Sequence, residues 1–353
     1  MGQQNNIGII RLLLALLVVW SHSYPLARGL PVVEPIVRFL YQESAGSIAV
    51  NSFFLLSGYL ITRSWLTSAS MADYVRRRVL RIYPGFLVAV ALSLVVAAAF
   101  AAGGPLDYLR ALWQHNDAVL RGVLFLDGSW LDAGATFVHN PLPGAVNGSL
   151  WTLQPELACY GLVAVAGVLG GLSPRRVLLL CGAAYGGYAL NLFTCDWSPH
   201  QYARAVYAEQ TLWRFLTYFT VGAVFYCYRD RIRLGSLPLM AASVALLALG
   251  SRATPWLALL LPLLGGYVLF SLAFAPVVLL ARFTARTDLS YGVYIYAFPV
   301  QQVCVYYLKS CNPWLLFGLS TPITLAVAWV SWVAVERPCL RGRRDSPAAS
   351  SPP

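Results

Sequence analysis

The sequence predicts an all-α polytopic membrane protein with about ten transmembrane helices and both termini in the cytoplasm. Three observations predict it. The 353 residues are 58% hydrophobic and only 11% charged, with a mean hydropathy of +0.64, too little charge to cover a soluble surface of this size. The apolar residues gather in segments of membrane-spanning length, separated mostly by short loops. The basic residues concentrate in alternate loops. That distribution also argues against nucleic acid as a partner, despite a net charge of +11.

The spans are expected at 7–24, 46–63, 82–102, 150–171, 177–193, 211–228, 235–250, 256–279, 289–308 and 313–335. The first is read as a retained helix. It ends at Trp20-Ser21-His22-Ser23-Tyr24-Pro25 without a small-residue cleavage site. Pro255 and Pro262 predict irregular backbone near the eighth span. With the N-terminus inside, 15 of the 25 basic residues face the cytoplasm, seven face outward, and Arg11, Arg63 and Arg214 lie within spans. An odd number of spans would put Arg337, Arg341, Arg343 and Arg344 on the wrong side.

The 103–149 loop is the longest and is expected outside, with short re-entrant or surface helices of its own and a functional role. A single membrane domain is expected over 1–335. Residues 336–353, ending RRDSPAASSPP, read as a disordered cytoplasmic tail. Of seven cysteines only Cys195 and Cys311 fall in outside loops, where an oxidising compartment would allow them to pair; inert thiols are the alternative. No cysteine or histidine cluster has metal-ligand spacing, so no metal is expected.

The first span carries an arginine and a histidine, Arg11 and His22, with ten residues between them. At about 100° per residue they return to nearly the same helix face, roughly 16 Å apart. Ionisable groups in membrane helices face the bundle interior or a wet cavity, so this stripe reads as a path with two stations. Singly, Arg11 also fits a snorkelling side chain and His22 an interfacial one beside Trp20 and Tyr24. Their company favours the path. Span two, NSFFLLSGYLITRSW, contains Asn51 and Ser57 as polar points, and Ser57-Gly58 permits close helix approach. The next inside loop, DYVRRRVLRIYPGF, presents Arg76, Arg77, Arg78 and Arg81, suited to lipid headgroups or to a phosphorylated cytosolic ligand. Span four begins NGSLWTLQPELACY and buries Glu156 about 10 Å inside the outer boundary. A carboxylate at that depth needs a partner, and His22 lies toward the same side. Pro155 is expected to loosen the helix beside it.

These blocks together resemble the acyltransferase-3 family of integral membrane acyltransferases, which includes bacterial O-antigen and exopolysaccharide O-acetylases. Four blocks match in order: Arg11-x10-His22, FFLLSGYLIT, RRRVLRIYP and SLWTLQPE at 149–156. Weaker matches follow in DLSYGVYIYAFPVQQ at 288–302 and VERP at 335–338. The resemblance spans nearly the whole chain. It implies a ten-helix membrane domain, an acyl-CoA donor, commonly acetyl-CoA, and a hydroxyl acceptor, often on a sugar. It implies that His22 and Arg11 are the family's essential histidine and arginine, and that Arg78 and Arg81 form its cytoplasmic R-x-x-R element. One departure is that Ala297 stands where some relatives carry a second histidine.

The resulting expectation has CoA phosphates on Arg76, Arg77, Arg78 and Arg81, and a pantetheine arm of roughly 15–20 Å threading past Arg11. His22 is expected as general base and Glu156 as the carboxylate orienting it. Asn51, Ser57 and Trp151 are expected to be structural or pocket residues. The expected acceptor is a glycan or other hydroxyl compound at the outer face of a bacterial inner membrane. A proton-coupled or anion transporter built on the same Arg, His and Glu is the competing class, as is a binding protein that kept the fold without the chemistry. The sequence has no internal repeat of the kind transporters use.

Overall fold

A computed structural model of the chain describes residues 5–32, 34–39, 43–132, 134–194, 210–250, 255–275, 287–309 and 312–341. Over its described residues, every predicted span forms a helix. They are α1 (Ile7–Arg28), α3 (Ala45–Leu66), α4 (Met71–Ala99), α7 (Leu153–Val168), α8 (Pro174–Thr194), α9 (Gln210–Cys227), α10 (Ser236–Gly250), α11 (Pro255–Ala273), α12 (Ser290–Leu308) and α13 (Pro313–Ser331). Short helices α2 (Pro35–Phe39), α5 (Gly104–Gln114), α6 (Asn116–Phe125) and α14 (Arg337–Arg341) complete the set among the described residues. Among the described residues six helices are long and apolar enough to cross a membrane, and the protein is an all-α, multi-pass membrane protein. A single bridge between Ala101 and Thr136 is the β-pairing among the described residues. Cys195 and Cys311 lie outside the described residues, as does the tail beyond 341.

Three expectations about helix limits and breaks are corrected. The arginine run Arg76–Arg81 is not loop. It occupies the first three turns of α4, which begins at Met71 because the Ser70 side chain accepts the Asp73 N–H at 3.1 Å. Pro155 does not loosen α7. It lies in the first turn, where its missing N–H has no helical partner to lose. Pro262 is likewise accommodated within continuous helix α11. The 103–149 loop does carry short helices, α5 and α6, followed by a 3-10 turn at Ser129–Asp132.

Helix α12 is central. It packs on α1, α4 and α13, and its residues Val293 to Phe298 are all buried. Polar side chains lock it in place. Gln301 Nε2 donates to Val19 O at 2.9 Å and to Ser23 Oγ at 2.8 Å on α1. Gln302 and Asn140 bond each other at 2.7 Å. Asn147 Nδ2 donates to Ile295 O and Ser93 Oγ at 3.0 and 3.1 Å, so the long loop is tied down onto α12 and α4.

Helices α3 and α9 meet most closely at Gly58 and Gly222. A Cβ on Gly58 would stand 1.8 Å from Phe219 O, and one on Gly222 would stand 2.0 Å from Leu55 O. Backbone contact of this kind is what small residues permit between membrane helices. It fixes the face of α3 that carries Ser57 toward α7. Arg11 of α1, Arg63 of α3 and Arg77, Arg78 and Arg81 of α4 gather around one cavity, and His22 lies eleven residues further along α1 from Arg11.

Candidate active site

A cavity of about 500 Å³ runs along α3 between α1, α4, α7 and α12. Its lining along α3 extends from Val50 to the C-cap residue Thr67, a rise of roughly 25 Å. One end is lined by Arg63, Thr67, Arg77 and Arg78, the other by Val50, Phe53, Thr152 and Tyr294. Polar groups step along it: Arg11 and Arg81, then Tyr160, Glu156 and Ser57, then Thr152 and Tyr294.

The cations at the mouth are of two kinds. Arg11 Nη1 and Arg81 Nη2 both donate to Asp288 Oδ2, at 2.7 and 2.6 Å. The other oxygen of Asp288 accepts from Ser290 Oγ at 2.6 Å and Ser290 N at 3.3 Å. Burial alone would raise the Asp288 carboxyl, but the two guanidiniums and the Ser290 bonds outweigh it and hold it well below the ordinary carboxylate range. Arg77 is paired with Asp73 one turn earlier on α4, at 2.5 and 3.0 Å. By contrast, among the described residues neither Arg63 nor Arg78 has a carboxylate partner. Arg78 donates to Ser64 Oγ at 3.2 Å, lies over the Tyr160 ring at 5.8 Å, and keeps a buried Nε without a partner. The mouth therefore presents positive charge that the protein does not neutralise, as an anion site requires. Arg76 is exposed and does not line the cavity.

Glu156 is not bonded to His22, which corrects the contact inferred from depth. Its Oε1 accepts from Ser57 Oγ at 3.1 Å and from the Tyr160 hydroxyl one turn along α7. It therefore belongs to the cavity. His22 stands beyond the far end. Its ring meets the Phe298 edge at 5.4 Å, and its Nδ1 is buried without a partner. Phe298 is one turn past Tyr294 on α12, so about 6 Å separates the last cavity-lining level from the histidine level. Asn51 is buried on α3, with both amide atoms unpartnered. Trp151 lies 5.8 Å from the Phe215 ring, outside the cavity lining.

Several residues of the site were not singled out by the sequence: Arg63, Tyr160, Thr152 and Tyr294, which line the cavity, and Asp288, which holds Arg11 and Arg81 in place. Asp288 had a readable signal, being an acid two residues before the N-terminal serine of a buried helix. No group of three potential metal ligands occurs among the described residues.

The family model described as acyltransferase domain, Acyl_transf_3, matches residues 4–333. The chain belongs to the acyltransferase-3 family. This acyltransferase is 32% identical over 365 residues to an O-acetyl transferase of Shigella phage Sf6, with 99% of each chain covered. It is 28% identical over 363 residues to nodulation protein 10 of Rhizobium leguminosarum bv. viciae, with 97% of this chain and 95% of that protein covered. No solved structure matches the acyltransferase. Membership sets the reaction class as acyl transfer to an acceptor, within which the cavity, its cationic mouth and His22 have to be read.

Proposed function

We propose that the acyltransferase moves an acetyl group from cytosolic acetyl-CoA to a hydroxyl of an extracytoplasmic or lipid-linked glycan, across a bacterial inner membrane. The observation that carries this reading is the cavity of about 500 Å³, polar and cationic at one end and ending one helical turn from His22 at the other. Its roughly 25 Å run along α3 exceeds the roughly 15–20 Å of an extended pantetheine arm. The arginine-rich face is assigned to the cytoplasm from the loop charges. The CoA phosphates dock on Arg63 and Arg78, with Arg77 beside them. Arg11 and Arg81, already bridged by Asp288, shape the passage. Glu156, held by Ser57 and Tyr160, is assigned to the donor arm, where it accepts an amide N–H of pantetheine.

His22 acts as general base. It takes the proton of the acceptor hydroxyl as that oxygen attacks the thioester carbon, and returns a proton to the leaving thiolate. The imidazole enters the reaction with no hydrogen bond at Nδ1. The name of the phage relative supports acetyl as the transferred group and oxygen as the acceptor atom.

The test uses membrane vesicles with radiolabelled acetyl-CoA, following base-labile label on the host's glycan fraction. Wild type is expected to transfer label, and His22→Ala at equal expression to lose about 10²–10⁴-fold of the rate. Equal transfer by the two proteins removes His22 from the chemistry. In the same vesicles Arg78→Gln is expected to weaken CoA binding about tenfold or more, since a charge-assisted hydrogen bond contributes about 1.5–3 kcal/mol. Equilibrium binding of labelled CoA measures it, and unchanged affinity would move the phosphate site elsewhere.

A further inference from the structure

We propose that the Tyr294 hydroxyl, oriented by Thr152, is the donor that holds the negative oxygen formed when the acceptor attacks the thioester. The proposal rests on the acyl-transfer reading and adds a catalytic residue to it. Attack by a hydroxyl turns the planar thioester into a tetrahedral centre whose former carbonyl oxygen carries a full negative charge. In a dry site that charge needs a fixed donor close by.

Position limits which groups can supply one. Arg11 lies roughly 16 Å below His22 on α1, and Arg81 is bound to the same Asp288 oxygen as Arg11. Neither guanidinium reaches an acyl group placed next to the histidine. At the far end of the cavity the lining hydroxyls are those of Tyr294 and Thr152. Their oxygens are 2.6 Å apart, with either able to donate. Thr152 is buried where the 3-10 turn Leu150–Thr152 runs into α7, and Tyr294 is packed at 5.8 Å against the Phe53 ring. The tyrosine is therefore fixed before substrate arrives, with its neighbour Phe298 one turn on meeting His22. An acyl carbon between the Tyr294 and His22 levels has a donor on the donor-cavity side and a base on the acceptor side.

The step balances without a co-reactant. The acceptor oxygen bonds the carbonyl carbon as its proton passes to His22. The carbonyl π pair moves onto oxygen, where the Tyr294 O–H meets it while the Thr152 hydroxyl donates to the tyrosine oxygen. Collapse restores the C=O, breaks the C–S bond and leaves CoA thiolate, which takes the proton from His22. The products are ester and CoA.

The experiment compares wild type, His22→Ala, Tyr294→Phe, Thr152→Ser and Thr152→Val in vesicles. It measures label transfer from acetyl-CoA to the glycan fraction together with equilibrium binding of labelled CoA. Tyr294→Phe is expected to lower the transfer rate about 10²–10³-fold, the usual loss for one oxyanion donor, with CoA affinity within about twofold of wild type. Thr152→Val is expected to lose about tenfold, and Thr152→Ser to restore most of it, because only the hydroxyl matters. Transfer by Tyr294→Phe within about threefold of wild type overturns the assignment while leaving a His22-dependent acyltransferase intact. A loss that follows weakened CoA binding overturns it in favour of a packing role. Wild-type vesicles that transfer no label overturn the acetyl-transfer reading and this assignment with it.

Discussion

Replacing Asp288 with alanine is expected to destabilise the protein by up to about 3 kcal/mol, the low end of the cost of leaving buried cations without their counter-charge, because these groups are only partly buried. Asp288 is a carboxylate on which two guanidiniums from different helices converge, with side-chain exposures of 24% for Asp288, 22% for Arg11 and 18% for Arg81. It also holds the first turn of α12 through Ser290. One substitution therefore releases α1, α4 and α12 together, and with them the mouth of the cavity. Asp288→Asn keeps the bonds to Ser290 but loses the charge, and is expected to fall between wild type and alanine. The pH dependence has a definite sign. The folded carboxyl is held below its unfolded value of about 3.9, so its stabilisation is fully present above that pH and is lost as pH falls through the lower folded value. Thermal melts in detergent should show a gap between wild type and Asp288→Asn that is constant near neutrality and narrows below about pH 4. A gap that widens on acidification would contradict the clamp.

Gly58→Val or Gly222→Val is expected to leave no correctly packed protein. The Cβ alone would lie 1.8 or 2.0 Å from a backbone oxygen of the facing helix. Backbone cannot rotate aside as a side chain does, so α3 and α9 must separate along their whole contact. The loss should exceed the usual ~1–3 kcal/mol of an overpacked core. Since α3 carries much of the cavity wall, the CoA binding proposed above should vanish as well. Gly318→Ala on α13 is the control. No atom lies within 4 Å of the added methyl there, and alanine favours the helix by about 0.8–1 kcal/mol. Equal melting temperatures for Gly58→Val and Gly318→Ala would mean that the α3–α9 contact is not as close as described.

Much of this architecture was legible because lipid restricts the solutions. Apolar segments of sufficient length had to be helices, and all ten expected segments form them over their described residues. The start of α4 was misplaced because Arg76 to Arg81 read as loop. The Ser70-Met71-Ala72-Asp73 pattern was present as a helix-start signal and would have corrected it. The partner of Glu156 was missed for another reason. Helix rise gives a side chain's depth, but its bearing depends on how the helices are rotated about their axes. Ser57 faces Glu156 because α3 is fixed against α9 by two glycines, one of them 164 residues further along the chain. The Asp288 clamp joins positions 277 and 207 residues apart and has no local pattern beyond the helix cap. Arg63, read as one more charge inside a span, turned out to line the cavity mouth.

The cavity ends at Tyr294, Thr152 and Phe53 and does not continue to His22, and this matters electrically. A membrane at 100 mV stores about 2.3 kcal/mol for every unit charge that leaks through it. A water-filled channel wide enough for pantetheine would admit protons and small ions as well. Here a layer of aromatic rings about one helical turn thick, Phe53 and Tyr294 backed by Phe298, stands between the cationic mouth and the histidine. In the proposed reaction an acyl group handed over at that layer would change sides as a neutral fragment, while the charged nucleotide would stay behind. By that route the bilayer would remain an insulator during the reaction, and the transfer itself would draw nothing from the membrane potential.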